Sequence, residues 1–93
     1  MTFEWDNVKN EKNIRKHKIP FDIAVRVFAD KKRIEKWDSK HSTAEEDRFF
    51  TIGMVSDLLF VVFTERKENI RIISARYANQ EETHEYYSNY DAR

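Results

Sequence analysis

The chain has 93 residues, 40% apolar and 14% aromatic, with a formal net charge of zero and no cysteine. Disulfides and thiolate metal sites are excluded, and zero net charge argues against indiscriminate nucleic-acid binding. The length predicts one domain, residues 1–93, with one modest core. No apolar run reaches the length of a membrane span and the first residues carry no signal-peptide pattern, so a cytoplasmic protein without a membrane partner is expected.

Charge is uneven along the chain. Residues 1–76 carry +3, and residues 77–93, with four acidic groups against one basic, carry −3. The acidic end reads as a solvated helix face or as a screen for a basic surface.

Asp6 is a good N-cap for a polar helix from Asn7 to His17, with Phe3 and Trp5 just before it as support. Lys16, His17 and Lys18 end it, where cations suit the helix dipole. Pro20 opens a second helix in which Phe21, Ala24, Val25 and Phe28 follow amphipathic spacing. Four strands follow, at 33–38, 48–53, 58–64 and 70–76, the first an edge and the third central. A polar loop spans 39–47, the only glycine ends the second strand, and turns lie at 54–57 and 65–69. Short links favour antiparallel hairpins. Asn79 and Glu82 resemble a capping box for a helix from Gln80 to Tyr90, with Thr83, Tyr86, Tyr87 and Tyr90 on one face. The expectation is an α+β fold: two N-terminal helices, a four-stranded antiparallel sheet and a C-terminal helix, with the helices on one face.

His17, His41 and His84 stand far apart and match no zinc spacing, and there is no phosphate-binding glycine loop or nucleophile elbow. The strand 70–76 is more telling. Simple alternation puts Ile70, Ile72, Ser74 and Arg76 on one face and Arg71, Ile73 and Ala75 on the other. Arg48, Glu65 and Arg66 lie on or beside neighbouring strands. Guanidinium groups can grip phosphate through paired hydrogen bonds and stabilise charge developing on phosphorus. RNA carries its own nucleophile, and His17 and Glu65 are candidates to move protons. Plainer readings compete: Arg71 and Glu65 in surface ion pairs, His17 ending a helix, the tyrosines as packing residues. From the residues alone the reading stops at a small α+β domain with an arginine-lined sheet.

The motifs carry more together. "FEWD", "N-x-x-K-H" at Asn13 to His17, "F-x-x-A-x-x-V-F" at Phe21 to Phe28, "RFFTIG", "VVFTER" and "IRIISAR" resemble, in order and spacing, the BrnT-type toxins of bacterial type II toxin–antitoxin systems. The resemblance implies a RelE-like α+β fold and a metal-independent endoribonuclease that blocks protein synthesis. It implies a BrnA-like antitoxin that binds DNA and represses the shared operon, so DNA is met only through that partner, in a hetero-oligomer. The residues it points to are His17, Glu65, Arg66 and Arg76 as the catalytic set. Lys16, Arg48, Thr64, Arg71 and Ser74 are expected to bind RNA phosphate, with no cofactor. The sequence departs from the family at Lys18, where a glycine commonly follows the histidine; with Pro20 this implies a stiffer link. A binding module that only holds an antitoxin, through helix two or the tyrosine helix, is the rival expectation.

Overall fold

Residues 2–91 are described by a computed structural model. Five strands form one sheet: β1 (Thr2–Trp5), β2 (Ile34–Trp37), β3 (Phe49–Val55), β4 (Asp57–Arg66) and β5 (Asn69–Tyr77). Their order is β1-β5-β4-β3-β2, with β1 parallel to β5 and every other pair antiparallel. The expected four-stranded antiparallel sheet is therefore a five-stranded mixed one. The segment before the first helix is itself a strand, because "FEW" alternates. Phe3 and Trp5 pack into the core while Glu4 faces Arg71 across the register.

The first helix, α1 (Asn7–His17), runs as expected from its Asp6 cap, whose carboxylate accepts from the Val8 amide at 2.8 Å. It stops at Lys18, which takes the left-handed conformation at φ 64° and donates its N–H to Ile14 O. The second expected helix is shorter. Only α2 (Phe21–Ala24) is α-helical; Val25–Ala29 tighten into a 3₁₀ segment, closed by the Asp30 N–H on Val27 O.

The turns at 54–57 and 65–69 also come out shorter than expected. Ser56 (φ 65°) and Lys67 (φ 56°) supply the positive φ values, so β3 runs on through Val55 and β4 through Arg66. Gly53 does not end its strand. It lies inside β3, where a Cβ would sit 2.9 Å from Val27 Cβ; its absence lets the 3₁₀ segment lie against the sheet.

The helices occupy both faces of the sheet, not one. On the first face Ile19, Phe21, Ala24 and Val27 pack against Leu59, Val61, Phe63, Ile70, Ile72 and Ala75. On the second, α3 (Gln80–Asp91) sets Tyr86 among Ile34, Ile52, Phe60 and Val62. The capping box forms: the Glu82 N–H donates to Asn79 Oδ1 at 2.8 Å and the Asn79 N–H to Glu82 Oε1 at 2.9 Å. Tyr86, 2% exposed, is a packing residue. Its hydroxyl donates to Asp30 Oδ2 at 2.6 Å, tying α3 to the end of the 3₁₀ segment. Tyr87 is exposed, and the Tyr90 side chain lies outside the described residues. Because Phe21, Ala24 and Val27 are fully buried, the apolar side of the second helix is core and offers no interface.

One irregularity re-aims the chemistry. Between Val62 and Phe63 the β4–β5 register shifts: Val62 opposes Ser74, yet Phe63 opposes Ile72. Ile73 is the extra residue of a β-bulge. Opposed residues share a face, so Arg71 (opposite Thr64), Ser74 (opposite Val62) and Arg76 (opposite Phe60) all lie on the second face. The alternation expected for an unbroken strand, which separated the two arginines, is overturned by this bulge.

Candidate active site

Asn13, 7% exposed, fastens the helix that carries Lys16 and His17 to the sheet. Its side-chain amide accepts from the Ala75 N–H at 3.1 Å and donates to Ala75 O at 2.9 Å, as a neighbouring strand would. It also donates to Ile19 O at 2.9 Å, closing the link after α1. This pins α1 to β5 and gives the first residue of "N-x-x-K-H" a structural reason. Lys16 and His17, one turn further on, are thereby carried to Ser74 and Arg76.

Together these residues border a cleft of about 630 Å³ on the second face. Phe50, Phe60 and Val62 form its apolar lining, with the Phe50 and Phe60 rings stacked at 4.8 Å. Arg76 lies with its guanidinium carbon 4.1 Å from the Phe60 ring centroid. Both its terminal nitrogens donate to Glu82, each at 2.8 Å. That bidentate pair raises the Arg76 pKa against the opposing effect of burial. On Glu82 burial works upward, but the bonds from Arg76 and the Asn79 amide outweigh it and hold the carboxyl below its usual range.

The remaining border comes from the loop between β2 and β3. Asp38 is 6% exposed, and its Oδ2 lies 2.7 Å from His41 Nδ1. Its Oδ1 accepts from the Lys40 and His41 amides at 3.1 and 3.2 Å. Three full cations of the cleft, Lys16, Lys40 and Arg76, thus face three carboxylates, Asp38, Glu82 and Glu85.

Of the nine residues expected from sequence, the structure gathers Lys16, His17, Ser74 and Arg76 in this cleft. The other five lie outside its lining. Thr64, Glu65 and Arg66 border a separate groove with Glu45, Glu46 and Asp47. There Thr64, buried, donates its hydroxyl to Asp47 O at 2.7 Å. Arg48 and Arg66 both pair with Glu46, at 2.9 and 3.3 Å. The Arg48 hydrogen bond above all holds the Glu46 carboxyl below its usual range. Arg71 pairs with Glu4 at 2.8 Å and is the chief cause of a lowered Glu4 pKa. Glu65, exposed, opposes Ile70 and so belongs to the first face.

Sequence reading missed Asp38, Lys40, His41 and Glu82 as parts of the site, and Asn13 as the residue that fastens α1 to β5. The available signal was the D-x-x-H spacing of Asp38 and His41 in a polar loop, a pattern that local turn bonding favours. Among the described residues no group of three or more His, Cys, Asp or Glu is arranged to hold a metal. Two imidazoles, a guanidinium and two ammonium groups around aromatic rings suit binding of a phosphate-bearing, base-bearing chain and proton transfer to or from it.

Comparison with known proteins identifies the family. The family model described as "Ribonuclease toxin, BrnT, of type II toxin-antitoxin system" matches residues 5–82. The crystal structure of the Brucella abortus ribonuclease toxin BrnT superposes with a TM-score of 0.64 at 27% identity. The match covers 86% of this chain and 99% of that one. No curated protein sequence matches. By its sequence over most of its length, and by its fold, the chain belongs to the BrnT family of type II toxin–antitoxin ribonuclease toxins.

Proposed function

We propose that the chain is a metal-independent endoribonuclease that cuts RNA and so inhibits translation, and that a BrnA-like antitoxin neutralises it. The carrying observation is the convergence of His17 and Arg76, from motifs at opposite ends of the chain, on one aromatic-lined cleft. Arg76 and Lys16 hold the scissile phosphate and balance charge growing on its oxygens. His17 exchanges a proton with the reacting oxygens, and Ser74 donates to phosphate beside it. Phe50 and Phe60 give a flanking base an apolar surface. Glu65 and Arg66 take no part in this reading. Arg66, with Arg48 and Thr64, holds the β2–β3 loop, and Glu65 stands exposed on the first face. Kinship with RelE-type ribonucleases is part of the proposal, supported by the small α+β architecture. DNA is met only through the antitoxin, in a hetero-oligomer.

A non-catalytic module that only holds an antitoxin is the rival, and the charge balance of the cleft favours it, since Arg76 already has Glu82 as a partner. One experiment separates the two. Antitoxin-free protein is incubated with RNA, with and without a chelator, beside His17→Ala and Arg76→Ala. Cleavage that survives the chelator and falls about 100-fold in either variant is expected. Cleavage unchanged in both variants removes the assignments, and none in the parent protein supports the binding module.

A further inference from the structure

We propose that His41 is a second proton-transfer residue of the cleft, taking the proton from the RNA 2′-hydroxyl, and that Asp38 is its positioning residue. The inference rests on the ribonuclease reading above and adds to it the partner that His17 needs. Transesterification moves two protons, one off the nucleophile and one onto the leaving group, so one imidazole leaves the reaction half served.

His41 meets the requirement by its surroundings. Its Nδ1 lies 2.7 Å from Asp38 Oδ2, so the Nδ1 proton is held by the carboxylate and Nε2 is the nitrogen left for the cleft. The imidazole is accessible at 44% exposure while the carboxylate behind it is 7% exposed, a reachable ring on a fixed support.

The loop that carries the pair is fastened throughout. The Asp38 N–H donates to Arg48 O at 2.8 Å, and the Ser42 N–H donates to Asp38 O at 3.0 Å. Ser42 Oγ accepts from the Arg48 N–H at 2.8 Å and donates to Arg48 O at 3.1 Å. Thr64 and the Glu46 pairs with Arg48 and Arg66 hold its far end. These bonds fix the position of the Asp38–His41 pair beside the cleft.

In the step, Nε2 of His41 takes the 2′-hydroxyl proton and the 2′-oxygen bonds to phosphorus. The bond from phosphorus to the 5′-oxygen breaks, and that oxygen takes a proton from His17. The products are a 2′,3′-cyclic phosphate and a 5′-hydroxyl.

The test is steady-state cleavage of a short RNA by the full chain and by His41→Ala, His41→Gln and Asp38→Asn, each checked for a cooperative melt. Expected are a kcat about 100-fold lower in both His41 variants with KM little changed, and partial rescue of His41→Ala by added imidazole. A smaller loss, again in kcat, is expected for Asp38→Asn. If the parent protein cuts RNA and His41→Ala, folded, cuts it equally fast, this inference falls while the ribonuclease reading stands. If His41→Ala loses KM alone and imidazole restores nothing, His41 is a binding residue and the inference also falls. If the parent protein cuts nothing, both fall together.

Discussion

Arg71 and Arg76 project from the same face of β5 because the bulge at Ile73 adds one residue between them, yet they meet different partners. Arg71 pairs with Glu4 of the edge strand, Arg76 with Glu82 of α3. Sharing a face does not make them one site, since only Arg76 borders the cleft. The expected outcome is asymmetric. Arg76→Ala depresses RNA cleavage, whereas Arg71→Ala leaves kcat and KM unchanged and only loosens β1. Parallel kinetics and hydrogen exchange on the two variants check this. Equal losses of cleavage would show that the substrate reaches past the cleft to the β1 edge.

Glu82 occupies the two terminal nitrogens of Arg76 that a phosphate would use. RNA must compete with it. Glu82→Gln keeps a side chain able to serve the capping box while removing the charge. KM for RNA is expected to fall about threefold to tenfold, the effect of weakening one charge-assisted pair, with kcat little changed. A rise in KM would mean that Glu82 instead holds Arg76 ready for phosphate. Titrating RNA against both proteins by fluorescence anisotropy gives the same comparison without catalysis.

The parts legible in the sequence were those specified locally. "LLFVVFT" reads as a central strand from its β-branched and aromatic run, and Asp6 and the Asn79–Glu82 box mark two helix starts from their own side chains. What escaped was specified at a distance. β1 pairs in parallel with a strand more than sixty residues away, and no turn between them announces it. The bulge at Ile73 exists because Val62 and Phe63 choose partners out of step, which β5 alone does not reveal. Asn13 is one more polar residue on a polar helix until Ala75 arrives beside it. The motif resemblance pointed to both grooves at once, but the far end of β4 carries Thr64, Glu65 and Arg66 into a groove separate from the one that His17 borders.

Lys18 ends α1 at a φ of 64°, in the left-handed region that favours glycine. A side chain in the left-handed region crowds the following carbonyl, at a cost of about 1–2 kcal/mol. Part of that is offset by the lower entropy of the unfolded lysine chain relative to glycine. Lys18→Gly is therefore expected to stabilise the protein by about 0.5–1 kcal/mol, read as an upward shift in thermal or denaturant midpoint. Lys18→Ala keeps the Cβ and should gain nothing. If the two variants behave alike, the benefit comes from removing a charge at the end of α1 and not from backbone relief.

Asp30 joins three elements: its Oδ2 accepts from the Tyr86 hydroxyl at 2.6 Å and the Met54 N–H at 2.9 Å, and its Oδ1 from the Lys32 N–H at 2.9 Å. Burial pushes its pKa upward, but these bonds, with a contribution from Arg33, prevail and hold it below its ordinary value of 3.8. A carboxylate with a depressed folded-state pKa stabilises the native state fully above its unfolded value. That stabilisation drains away as pH falls through the lowered one. The melting temperature should thus drop as pH goes from about 4 toward 2, a fall shared with the other lowered carboxylates, Glu4, Glu46 and Glu82. Asp30→Asn isolates one share. Its deficit against the parent protein should be largest at pH 7 and should shrink as pH falls below about 4, where the unfolded-state aspartate takes up its proton before the native one does. A deficit that stays constant across that range would assign the role of Asp30 to shape and hydrogen-bond count, with its charge contributing nothing.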